Sequence, residues 1–328
     1  MLLEIKNLNI KFKTKRGLLH AIKDLSLSLE QGETLGLVGE SGCGKSITNL
    51  AIMGLLPETA EVTADCLSFE NKDLRSLSSK QWQNLRGADI AMIFQDPMSA
   101  LNPCFTVGQQ LQETLAAHTS LGKTQRHQEA LSLLHQVGIP APEERLRAYP
   151  HELSGGMAQR IMIAMAIACN PKLLIADEPT TALDVTIQDQ ILKLLRRLQK
   201  ERNMAMIFVT HDLGVVANIA DRIQVMYAGE MVERGETAQV IANPFHPYTR
   251  GLLDSLPSSH HGHFRQRLTS IAGMVPNLLI QQEGCSFKPR CLFQSEKCLK
   301  TPLMQEIGQR QVRCFHCLNQ DQEKPSHA

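Results

Sequence analysis

The run Thr34-Leu-Gly-Leu-Val38 leads directly into Gly39-Glu-Ser-Gly-Cys-Gly-Lys-Ser46, and a helical pattern follows through Ile52 to Leu55. Five residues without polar alternation suit a strand covered on both faces. A glycine-rich turn between such a strand and a helix directs backbone N–H groups inward, toward the positive end of the helix dipole. Gly39, Gly44, Lys45 and Ser46 fit the spacing G-x-x-x-x-G-K-[ST], with Glu40, Ser41, Gly42 and Cys43 between them. A polyphosphate needs many donors and little steric bulk. Lys45 would reach its β- and γ-phosphates, and Ser46 would place a hydroxyl on Mg²⁺. The bland alternative is a chance match in a glycine-rich turn, and the strand before it and helix after it argue against that.

Further apolar runs share this layout. Leu25, Leu27 and Leu29 alternate with polar residues, as in a half-buried strand. Residues 173–177 form a second apolar run that ends in Asp177, followed at once by Glu178. A carboxylate at a strand end suits Mg²⁺, and Glu178 suits a general base on an attacking water. Alternatively, one of the two is a ligand and the other merely solvated. Ile187, Ile191, Leu194, Leu195 and Leu198 lie on one helix face. Residues 206–210 form a third run, ending at His211. Residues 222–235 read as a hairpin turning at Gly229-Glu230. Residues from about 75 to 170 read as mostly helical, with Gly138, Pro140 and Pro142 as breaks. Apolar strands alternating with helices predict an α/β fold with a parallel sheet covered on both sides. The pattern changes near Asn243. We therefore expect one domain over 1–240, with a helical part at about 96–168, and a second over 241–328 whose polar end after about Asn319 is disordered.

Composition narrows the functional classes. The 328 residues carry 34 Lys+Arg against 33 Asp+Glu, a formal net charge of +1, and only 4% aromatics. A polybasic nucleic-acid surface or a base-stacking platform has little material here. The longest clean apolar run, 161–169, is less than half of the roughly 20 residues a spanning helix needs. Glu4 and Lys6 stand where a secretory signal would be apolar, which suggests a cytoplasmic chain.

The segment Leu153-Ser-Gly-Gly-Met157 makes the resemblance plain. Over roughly residues 1–240 the chain resembles the nucleotide-binding subunit of an ATP-binding cassette (ABC) transporter. The matching motifs follow one another in the family's order: the phosphate loop at 39–46, Gln95 in Phe-Gln-Asp-Pro, the signature at 153–156, the 173–178 strand with Glu178, the D-loop Ala182-Leu-Asp184, and the switch His211 in Thr210-His-Asp212. The resemblance implies a RecA-like parallel-sheet core, an N-terminal antiparallel β subdomain and a helical signature subdomain, with a small Cys-rich extension after them. It implies ATP as substrate, with Mg²⁺ on Ser46, Gln95 and Asp177. It implies hydrolysis by Glu178 with His211 and Gln95, and contact of Ser154, Gly155, Gly156 and Asp184 with ATP on an opposing cassette. Phe12 stands where the family stacks an aromatic on adenine, although a lone aromatic near a strand end also suits a core. The fifth signature residue, usually Gln, is Met157 here. Ser154 precedes an apolar stretch that it would cap as a helix. The segments 91–103, 163–168 and 246–253 are similar to the dipeptide, oligopeptide and nickel importer ATPases, the dipeptide branch above all. That family implies two membrane permeases, a second and paralogous ATPase, an extracytoplasmic binding protein, and a place on the cytoplasmic face of the inner membrane. The near-neutral charge and the single phosphate loop and signature argue against a nucleic-acid partner.

Nine cysteines are present, and Cys285, Cys291, Cys298, Cys314 and Cys317 crowd the C-terminal part. In a reducing compartment such crowding suggests a metal site before disulfides. The spacing leaves zinc and iron–sulfur clusters both open. The resemblance favours a [4Fe-4S] cluster on Cys285, Cys291, Cys298 and Cys314, with Cys317 spare. An extension with few apolar residues needs a staple, which points to a structural role; the bland alternative is a set of reduced structural thiols. Cys43 reads as a tolerated variable position of the loop, and its place at a helix N-terminus adds the expectation of a thiol-sensitive ATPase. His260, His261 and His263 read as a solvated loop.

Overall fold

The computed structural model describes residues 1–15, 17–181, 183–256, 270–276, 278–279 and 283–318. The His260 to His263 tract, Ala182 and the end after Leu318 lie outside the described residues. The chain forms two compact units. One comprises Met1–Leu29, Thr34–Leu74 and Thr210–Ala328, the other Glu30–Glu33 and Arg75–Val209.

The first unit holds an antiparallel sheet in the order Gly17–Leu29, Leu3–Thr14, Cys66–Phe69, Lys72–Asp73, with Ala60–Thr63 also on Leu3–Thr14. Leu25, Leu27 and Leu29 are buried and Asp24 is exposed, as the alternation required. Burying each leucine contributes about 1.5–3 kcal/mol before entropy is counted. A second group of strands in this unit carries the glycine loop. Thr34–Val38, buried throughout, pairs in parallel with Arg222–Tyr227, which folds back onto Glu230–Glu236. The hairpin turns at Ala228 and Gly229, with φ of 49° and 82°, one residue earlier than the sequence suggested. Ala gives no turn signal because its Cβ disfavours left-handed φ. Beyond the hairpin, Glu230–Glu236 takes Arg310–Val312 and then Gln305–Ile307 in antiparallel register.

In the second unit Ile90–Ile93, Leu173–Asp177 and Ala205–Thr210 run parallel, with Ile90 opposite Leu173 and Leu173 opposite Ala205. Ile90–Ile93 lies inside the stretch expected to be helical. Four apolar residues are too few for a period to show. Helices Val107–His118, Lys123–Gln136 and Gly155–Ile167 follow between the first two strands. The 161–169 run belongs to a core helix in which Ile161, Met162, Ile163 and Ala164 are all buried. Val185–Glu201 buries Ile191, Leu194, Leu195 and Leu198, the face expected for it. Among the described residues, no helix is long and apolar enough to cross a membrane.

Candidate functional site

The phosphate loop lies in the first unit. Helix Lys45–Ile52 starts at Gly44, whose φ of 108° strains any L side chain. A Cβ there would also collide with Ile22, and one at Gly39 with the Met226 carbonyl. The loop is thus a cradle that only glycine leaves open, and it fits a phosphate. Lys45 is buried, its ammonium donating to the carbonyls of Gly39 at 2.6 Å and Glu40 at 3.0 Å. Ser41, Gly42 and Ser46 are exposed. The hairpin turn supports the loop from behind, Gly229 N–H donating to the Cys43 carbonyl at 3.0 Å. Cys43 is fully buried, and burial pushes its thiol up despite Lys45 nearby. That corrects the expectation of a reactive thiol. Burial outweighs the helix end.

Two further expected residues fall in this unit. His211 is exposed and follows the buried Thr210. Asp212 next to it caps helix Leu213–Ile219, accepting from the N–H groups of Gly214 at 2.7 Å and Val215 at 3.3 Å. Phe12 is half-buried on Leu3–Thr14, opposite Leu19 and Ala60.

The second unit holds the carboxylates and the signature. Asp177 is buried at the end of its strand. Glu178 turns out of that strand with φ of 48°, a left-handed conformation that costs a non-glycine residue about 1–3 kcal/mol. It is held on several sides. Its N–H donates to the Val209 carbonyl at 3.0 Å, and its Oε2 accepts from Gln95 Nε2 at 3.1 Å and Thr181 Oγ1 at 2.9 Å. Gln95 is exposed just beyond Ile90–Ile93. The unanticipated strand therefore carries an anticipated side chain to Glu178.

Ser154 caps helix Gly155–Ile167 as expected, Oγ accepting from Met157 N–H at 3.3 Å. Asp184 caps Val185–Glu201 in the same way, from Ile187 N–H at 3.0 Å. The two caps are neighbours, because a Cβ on Gly156 would sit 3.2 Å from Ile187 Cγ2. Gly155 is exposed and a Cβ there would meet nothing. Among the described residues, no packing contact accounts for a glycine there.

Cys285, Cys291, Cys298 and Cys314 are all free thiols. Burial pushes Cys285 and Cys291 up, and contact with the Cys317 thiol followed by burial does the same for Cys314. A cluster needs thiolates converging on one point. Among the described residues, no three His, Cys, Asp or Glu side chains are grouped to hold a metal ion. The expected cluster gains no support from this arrangement.

A profile of the ABC transporter family matches residues 22–181. Among solved structures, the dimeric post-hydrolysis state of the ATP-binding cassette MJ0796 bound to ADP and Pi superposes with a TM-score of 0.63 and 28% identity, over 72% of this chain and 98% of that one. The fold and the loop thus define an ATP-binding cassette, the α/β class expected. The oligopeptide/dipeptide transporter C-terminal region matches residues 232–298. The dipeptide transport ATP-binding protein DppD of Haemophilus influenzae is 52% identical over 320 residues, 97% of this chain and 96% of the relative. The Escherichia coli DppD is 49% identical over 320 residues, 97% of each chain. The chain belongs to the ABC ATP-binding proteins of the dipeptide/oligopeptide importer family.

Proposed function

We propose that this chain is the ATP-hydrolysing subunit that powers import of dipeptides or short oligopeptides. The observation that carries the reading is similarity along the whole chain, with the transporter-specific region at 232–298 included. Nickel or another small solute is the alternative cargo for the same mechanism.

Loop N–H groups of 39–46 and the Lys45 ammonium bind the phosphates. For that, Lys45 exchanges the carbonyls of Gly39 and Glu40 for phosphate oxygens. Phe12 packs on the adenine. Ser46, Gln95 and Asp177 would hold Mg²⁺, which would supply neutralisation of phosphate charge. Glu178 Oε2 takes a proton from the attacking water, and the bonds from Gln95 and Thr181 keep that oxygen oriented. His211 orients the same water. Ser154, Gly155, Gly156 and Asp184 serve the ATP of an opposing cassette, so that turnover needs two cassettes. The supporting observation is Gly155, which is exposed and where, among the described residues, a Cβ would meet nothing. The partners are two permeases, a second and paralogous ATPase and an extracytoplasmic binding protein, with this chain peripheral on the cytoplasmic face of the inner membrane.

Uptake tests this reading. Cells lacking this protein should lose uptake of labelled dipeptide and regain it with the wild type but not with Lys45→Ala. Dipeptide uptake that survives the deletion, with nickel uptake lost, would overturn the cargo. The [4Fe-4S] cluster on Cys285, Cys291, Cys298 and Cys314 is the finer part of the proposal. It predicts about four irons and four sulfides per chain after anaerobic purification, as for any cluster of that type. Zinc without iron would sink it.

A further inference from the structure

Glu40 is the only acidic residue of the 39–46 loop. A carboxylate there repels a polyanion unless its charge is met. Arg290, 250 positions away in the chain, meets it with a two-pronged ion pair, Nη1 to Oε2 at 2.6 Å and Nη2 to Oε1 at 2.9 Å. The Arg290 side chain is 4% exposed. It is fixed in turn. Nε donates to the Ala272 carbonyl at 3.0 Å and Nη2 to the Ile271 carbonyl at 3.2 Å, and the guanidinium lies 5.8 Å from the centre of the Tyr227 ring.

The Glu40 backbone is held as well. Its N–H donates to Tyr248 Oη at 2.8 Å, and its carbonyl accepts from Lys45 Nζ. The Tyr248 ring is wedged against Tyr227 and Phe287, with centroids 4.7 and 5.4 Å away. Tyr248, Phe287 and Arg290 all lie in the region that matches the transporter C-terminal family. One loop residue therefore has its carboxylate and its N–H gripped by the extension, while its carbonyl holds the lysine meant for phosphate.

We propose that the C-terminal extension is a clamp on the phosphate loop. Arg290 and Tyr248 act through Glu40 as positioning residues that set ATP affinity, and not the rate at saturation. This rests on reading 39–46 as a phosphate loop. Without Arg290 the Glu40 carboxylate becomes an uncompensated negative charge beside the phosphates, and the loop loses its tether.

The test uses the full chain for ATP Kd and the assembled transporter for KM and kcat. Arg290→Met keeps the bulk and removes the charge. Kd and KM should rise about 10-fold, the effect of one partly screened charge at close range, with kcat within about twofold. Arg290→Lys should fall between Arg290→Met and the wild type, keeping the charge and losing the fork. Adding Glu40→Gln to Arg290→Met should bring Kd back to within about threefold of Glu40→Gln alone, because the repulsion is gone. Wild-type Kd in Arg290→Met overturns the clamp, as does a double variant as weak as the single one. If Arg290→Met does not fold, Tyr248→Phe removes one hydroxyl and should raise KM at unchanged kcat, and an unchanged KM overturns the clamp. Lys45→Ala separates the two readings. Its loss of ATP binding alongside normal binding in Arg290→Met and Tyr248→Phe removes the clamp alone, and normal ATP binding in Lys45→Ala removes the phosphate-loop reading beneath it.

Discussion

Replacing Glu178 by Gln should lower ATP turnover in the assembled transporter about 100- to 10,000-fold, the range a positioned general base contributes, while ATP binding persists. The substitution is nearly isosteric, and the amide oxygen still accepts from Gln95 and Thr181, so the left-handed turn keeps its partners. Only the proton-accepting capacity is lost. Phosphate release measures the first effect and equilibrium ATP binding the second. Turnover within about threefold of wild type would remove Glu178 as the base, because a solvated bystander has no such leverage on rate. Loss of binding along with turnover would mean that the residue holds the site together and does no chemistry. A strained backbone at a carboxylate favours the chemical role, since strain survives where surrounding structure over-determines it.

Glu233→Ala should strongly destabilise the first unit. Glu233 and Arg310 form an ion pair with both side chains fully buried. The Glu233 carboxylate also accepts from the N–H groups of Phe245 at 2.8 Å and His246 at 2.9 Å, and the guanidinium lies 3.6 Å from the centre of the Phe245 ring. Removing one partner strands the other charge away from water, at a cost of about 3–5 kcal/mol. The midpoint of thermal unfolding should fall by roughly 10 °C for a unit of this size. Thermal denaturation of the purified chain measures it. A drop below about 2 °C would mean that water or a shift of Arg310 relieves the charge, and that the pair does not anchor the extension to Glu230–Glu236.

These two sites were not equally legible in the sequence. The loop around Lys45, the strand end at Asp177, the Ser154 cap and the alternation of Leu25, Leu27 and Leu29 are local patterns, set by spacings of two to five residues. They could be read directly. Ile90–Ile93 was hidden because four apolar residues satisfy a helix as well as a strand. The turn was displaced by one residue because Ala228 gives no turn signal. Glu233 with Arg310 and Glu40 with Arg290 are 77 and 250 positions apart. No periodicity joins residues so distant, and only the folded chain brings them together. The boundary drawn near residue 240 followed a real change in composition, yet the Arg310–Val312 strand pairs with Glu230–Glu236 across it. Composition marks where a pattern ends, and backbone pairing does not follow it.

The hairpin tip at Ala228 and Gly229 has a practical consequence. Two-residue tips are ordinarily where an epitope or fluorescent label is spliced with least damage. This one is internal. Ala228 is 1% exposed, a Cβ on Gly229 would press on the Ala21 backbone, and Gly229 braces the Cys43 carbonyl from beneath. A label spliced there would lever the glycine cradle out of shape, and a silent fusion protein would then be mistaken for a silent transporter. Reporter insertions belong on exposed backbone such as that around Lys123, where helix Lys123–Gln136 begins at a solvent-facing turn.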